Sequence, residues 1–309
     1  MAPLGAAKVG LFAAAGAGGA TGAGYFGGGN GPVSTVDKFA FPADSRTTLG
    51  TGLSSARASL AGMANSGTAG YFGGGSTGSF VDTVDKFAFS DDSRTTLGTG
   101  LSAGASGIAA MANSGTAGYF GGGWTGANSS TVDKFDFSDD SRTTLGTGLS
   151  SARSGVTAMA NSGTAGYFGG GNAASYVDTV DKFAFSDDSR TTLGTGLSSG
   201  RTQVAGMANS GTAGYFGGGD TGSNVDTVDK FAFSDDSRST LGTGLSSARQ
   251  QLAGMANSGT AGYFGGGYTG SRVSTVDKFD FSDDSRTTLA TGLSGVRAEV
   301  AAMANCESL

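Results

Sequence analysis

Large aromatic and charged side chains recur at matching places in a chain otherwise built of small residues. Phe80, Trp124, Tyr176 and Tyr268 lie in short segments that follow runs of glycine, in company with Asp220, Asn224 and Arg272. Such rings stack on sugars or anchor a protein partner, while amide, carboxylate and guanidinium groups fix orientation by hydrogen bonding. Arg57, Arg153, Arg201, Arg249 and Arg297 recur in a second set of segments, with Ala105 in the remaining copy. Two jobs are open to these arginines. They can satisfy loop carbonyls between structural units, or form a cationic ring that captures a carboxylate, sulfate or phosphate. All the residues named, Ala105 aside, form the candidate ligand- or partner-binding set.

Catalysis finds little to work with. The chain has no His, so no imidazole base and no Ser-His or Cys-His pair. Cys306 is the single cysteine, which excludes an internal disulfide and, with His absent, the usual zinc sites. An acid–base site drawn from Asp178, Asp220 or Asp226 is the remaining enzymatic reading, and the expectation is no enzyme and no cofactor. Paired aspartates such as Asp91-Asp92 lack the convergent oxygens calcium prefers; they read as turn caps bonding the local backbone. The triple glycines are not phosphate loops, since no Lys-Ser/Thr follows them and no helix starts there.

What positions these side chains is a repeat. Tyr25, Tyr71, Tyr119, Tyr167, Tyr215 and Tyr263 are spaced 46, 48, 48, 48 and 48 residues apart, each followed by Phe and three glycines. A period in this range marks an array of one supersecondary unit, which buries its apolar face only against its neighbours. Within a unit, the run from Leu60 to Met63 ends in the turn cluster Asn65-Ser66-Gly67-Thr68. Ala69-Gly70-Tyr71-Phe72 leads into the glycines. Thr83-Val84-Asp85-Lys86-Phe87-Ala88-Phe89 alternates with period two, putting Asp85, Phe87 and Phe89 on one face. After the polar turn Ser90-Asp91-Asp92-Ser93, a fourth strand is expected from Arg94 to about Leu101. The Asp-Lys neighbours on the third strand point to opposite faces and are expected to bridge to adjacent units. Four short strands per unit make a propeller blade.

The pattern resembles the kelch repeat in all six copies. The paired glycines Gly27-Gly28 through Gly265-Gly266 match the end of a kelch second strand, Phe39 through Phe279 the third-strand aromatic, and Leu53 with Arg57 the lead into the next blade. The kelch tryptophan of the fourth strand is absent. The Ser-Asp-Asp-Ser-Arg-Thr-Thr turn is similar to the Asp-box turn of sialidase-type propellers, without its Gly and Trp, and implies no sialidase activity. The wording of the repeat is also similar to kelch-like repeats in phage structural proteins, including tail and neck fibres. That resemblance implies a non-catalytic binding propeller on a virion or an extracellular surface, recognising a glycan or protein receptor. The alternatives are a structural assembly module and a cytoplasmic location.

Counting strands closes the ring. The last first-strand, with Val300 and Met303, follows the sixth fourth-strand and has no blade of its own. The expectation is an all-β, six-bladed propeller over residues 19–309, with the C-terminal strand completing the first blade and removing an open edge. Residues 1–18 are then an extension whose Leu4, Val9, Leu11 and Phe12 suit an anchor to another subunit, with a weak signal peptide or a strand as the other readings. A homo-oligomer or larger assembly follows. A net charge of −6 argues against nucleic acid, and no apolar run reaches the ~20 residues of a membrane span. Differences between copies fall in two windows, after the triple glycine and after each Leu-Ser pair. Both map to one face of the ring, above turns on the other that barely change.

Overall fold

The computed structural model describes residues 22–306. They form six four-stranded antiparallel sheets arranged as the blades of a propeller. Blade 2 shows the pattern, with Ala61–Asn65 innermost, then Ala69–Gly73, Val84–Ala88 and Arg94–Thr96 at the outer edge. Blades 3 to 6 repeat it in chain order. Blade 1 is assembled from both ends of the described chain: Ala301–Cys306 pairs antiparallel with Gly22–Gly27 over six positions, followed by Val36–Phe41 and Ser45–Thr48. The expected closure is therefore present. Residues 1–18, assigned above to an extension, lie outside the described residues.

The core is six apolar layers, each shared by two blades. The second strand of blade 3 shows why the sequence reads Gly-Tyr-Phe-Gly. A Cβ at Gly118 would lie 2.2 Å from Sδ of Met63 in blade 2, and one at Gly121 would lie 2.6 Å from the ring of Phe168 in blade 4. Both neighbours thus press on bare backbone, with Tyr119 and Phe120 buried between. The outermost strand is shorter than expected, three residues in blades 2 to 6. After Leu97 bonds Val84 O, the chain turns inward, and Leu101 bonds Asp82 O at 2.8 Å. A Cβ at Gly100 would meet Asp82 O at 2.6 Å, so this segment packs as a connector and not as a strand.

Each blade also clasps the next through polar groups. Tyr25 Oη and Lys38 Nζ of blade 1 both donate to Asp92 of blade 2, at 2.8 Å, with Lys38 reaching the two carboxylate oxygens. The last clasp, from Tyr263 and Lys278 to Asp44, joins blade 6 to blade 1. Asp92 has φ of 58°, and its neighbour Asp91 accepts from the Ser93 amide as a turn cap. In blades 2 to 6 the two aspartates of the turn therefore do different work, one local and one between blades; blade 1 keeps only the second, Asp44.

The clasp sets an alkaline limit. Burial first, and then the hydrogen bond to aspartate, push the phenols of Tyr25, Tyr71, Tyr119, Tyr167 and Tyr215 well above the ordinary range. In the unfolded chain they ionise near ~10. Their contribution to stability is whole below about pH 10 and is lost as pH rises through the higher folded-state values. In a spectrophotometric titration, tyrosinate absorbance from these rings should appear together with loss of the β-sheet circular dichroism. Ionisation of all of them near pH 10 in a still-folded protein would contradict the clasp.

Candidate functional site

The two variable windows meet on one face. The segment after the triple glycine pairs with the connector entering the inner strand of the same blade: Ala58 with Ser76, Ser106 with Trp124, Ser154 with Asn172, Thr202 with Asp220, and Gln250 with Tyr268. The next residue in each connector bonds its counterpart in the adjacent blade. Amides of Gly107, Gly155, Gln203, Gln251, Glu299 and Ser59 donate in turn to the carbonyls of Ser59, Gly107, Gly155, Gln203, Gln251 and Glu299, at 2.8–3.1 Å. Six hydrogen bonds thus form a closed circle around the mouth of the central channel.

Every residue of this circle is left-handed, with φ between 55° and 62°. Glycine adopts that geometry freely, whereas Ser59, Gln203, Gln251 and Glu299 each cost roughly 1–2 kcal/mol there. The circle divides accordingly into an open arc of Gly107 and Gly155 and a polar arc of the other four side chains. Glu299 organises the polar arc. Its carboxylate accepts from Ser59 Oγ at 2.7 Å, Gln251 Nε2 at 3.2 Å and Asn30 Nδ2 at 3.3 Å, all neutral donors.

Above the open arc stand Trp124 and Tyr176, 41% and 37% exposed, on the blades that carry Gly107 and Gly155. They edge a cavity of about 620 Å³ whose floor is the upper end of the inner strands. The ionisable side chains lining it are Tyr176, Asp220 and Glu299, with no Lys or Arg. Asp220 accepts from Tyr176 Oη at 3.3 Å and from the Gly222 amide, and its charge pushes the Tyr176 phenol up.

The remaining sequence candidates lie elsewhere. Phe80 and Tyr268 are exposed on the same face but do not line the cavity. Asn224 donates to Tyr268 O at 2.9 Å and Arg272 to Asn30 Oδ1 at 3.0 Å, so both stitch neighbouring loops.

The arginines form no ring at the mouth. Arg57, Arg153, Arg201 and Arg249 are wholly buried and Arg297 nearly so, paired with Asp85, Asp181, Asp229, Asp277 and Asp37 inside the blades. Burial lowers the pKa of Arg57, against the pull of Asp85. These groups are turned away from solvent because each closes a connector onto the third strand of its own blade, where the same carboxylate takes Ser and Thr hydroxyls. The circle of left-handed residues is what sequence reasoning missed; the only signal for it is glycine at 107 and 155.

No protein-family model matches the chain, and no curated protein matches it. The solved structure of YjhT is similar to it, with a TM-score of 0.69 and 16% identity, covering 88% of this chain and 97% of that one. At that identity the likeness shows the propeller fold. No helix among the described residues is long and apolar enough to cross a membrane.

Proposed function

We propose that this is a non-catalytic binding propeller that seats a glycan in the mouth of its central channel, as a virion-associated or surface adhesin. The observation that carries the reading is the exposed Trp124–Tyr176 edge over Gly107 and Gly155, facing a polar arc across a cavity of about 620 Å³. That volume falls in the range of small-ligand sites, and the combination of an aromatic face and a polar arc suits a sugar ring. Holding four non-glycine residues in left-handed geometry is strain of the kind retained at binding sites. With Asp220 and Glu299 in the wall, the favoured sugar is neutral and not acidic. The resemblance of the repeat to kelch-like phage fibre repeats supports the virion placement.

Trp124→Ala is expected to weaken glycan binding by about 30-fold, the scale of an aromatic hot spot, with the melting temperature unchanged. Glycan-array screening followed by calorimetry on wild type and variant is the measurement. Equal binding by the variant, or no glycan retained by the wild type, would sink the proposal.

A second reading, a structural assembly module, is favoured by Phe80, Tyr268 and Val296, which are exposed on this face outside the cavity. It requires a stable oligomer by light scattering and no glycan bound.

A further inference from the structure

Blade 3 departs from its sisters at one buried place. In blade 2, Arg57 Nη1 donates to Gly74 O and Thr83 O at 2.9 and 2.8 Å, and Nη2 to Asp85 Oδ2 at 2.5 Å. Arg201 and Arg297 repeat this three-acceptor grip in blades 5 and 1, and Arg153 and Arg249 hold Asp181 and Asp277 at 2.8 Å in blades 4 and 6. Blade 3 has Ala105 at the matching position, yet the receiving groups are retained. Asp133 is 4% exposed and takes the Ser102 amide and hydroxyl at 2.8 Å and Thr144 Oγ1 at 2.6 Å, as its counterparts do. The five buried arginine pairs leave this carboxylate out.

Where the guanidinium of the other blades sits, blade 3 has a hollow of about 110 Å³ lined by Ala105, Gly122, Thr131 and Asp133. Its wall runs out to Ala103 and Thr125, both exposed. A buried carboxylate without a counter-ion is costly, and a planar cation with fork geometry relieves that cost best. Five copies of the site within this chain show which group fits the acceptors.

We propose that the hollow in blade 3 is a binding site for a guanidinium group brought from outside the chain, either the arginine side chain of a partner or a free guanidino compound. Gly122 O, Thr131 O and Asp133 Oδ2 receive it as Gly74 O, Thr83 O and Asp85 Oδ2 receive Arg57. The site lies in the blade that carries Trp124, next to the mouth cavity, but its acceptors do not overlap the sugar-facing wall.

The test is thermal unfolding of the full chain with methylguanidinium chloride at low millimolar concentrations, against equal NaCl and ammonium chloride. At about ten times the dissociation constant, the midpoint should rise by roughly 2–4 °C, and it should go on rising with the logarithm of concentration, as linkage to a single native-state site requires. Ala105→Arg should raise the midpoint by itself and abolish the response. Asp133→Asn, which removes the buried charge without changing shape, should fold and also fail to respond. Competition by an arginine blocked at both ends would assign the source to a protein side chain, and methylguanidinium binding alone would assign it to a free small molecule; both support the site. No shift in wild type, the same shift with NaCl or ammonium chloride, or an undiminished shift in Ala105→Arg or Asp133→Asn overturns it.

Discussion

A chain lacking residues 298–309 is expected to melt far below the intact protein and to self-associate. The deletion removes the inner strand of blade 1, with the buried Val300 and Met303, and strips six paired positions from Gly22–Gly27. It also takes Glu299 from the hydrogen-bonded circle and leaves a cleft between blades 6 and 2. The loss should be on the order of 5 kcal/mol or more, comparable with the whole net stability of many domains. The exposed edge of Gly22–Gly27 then pairs with another chain. Thermal melts and light scattering read both effects; a monomer of undiminished stability would rule out this closure as the lock of the ring.

Arg249→Ala should cost about 3–5 kcal/mol, because it leaves the buried Asp277 without its cation. Burial opposes ionisation of Asp277, but Arg249, together with hydrogen bonds from Ser246 and Thr288, outweighs it and holds the carboxyl below its ordinary range. Such a group contributes stability above its unfolded-state value and loses it as pH falls through the folded one. Without Arg249 the acid limb of the stability curve should therefore move to higher pH. Adding Asp277→Asn should recover most of the loss, since no unpaired charge is then buried. Urea unfolding at neutral and acid pH measures all of this, and a cost under about 1 kcal/mol for Arg249→Ala would show the pair to be dispensable.

Strand order, the face of the third strand and the closure of blade 1 were legible because each depends on local periodicity repeated six times. Asp85, Phe87 and Phe89 do share a buried face, and the rim aromatics do stand exposed. The arginine partners were not legible. Arg57 and Asp85 are 28 residues apart in a connector and a strand, and nothing in either motif names the other. Nor could spacing show that Trp124 and Tyr176 reach the mouth while Phe80 and Tyr268 do not. Equally hidden is the left-handed circle, where Ser, Gln and Glu give no sign of their unusual backbone. The invariance of the second aspartate in each turn reads as capping, and only folding brings it against a tyrosine and lysine of the neighbouring blade.

The circle at the channel mouth has an electrical consequence. In a helix, peptide dipoles align and leave partial charge at each end. Here six residues each donate through N–H and accept through C=O around a closed path, so the tangential dipoles of the bonds cancel and neither pole emerges. The amides that would otherwise attract an anion are all engaged with the next blade. The charge met by a molecule entering the channel is therefore set by side chains, Asp220 and Glu299, and Glu299→Gln would halve it while leaving its sign to Asp220.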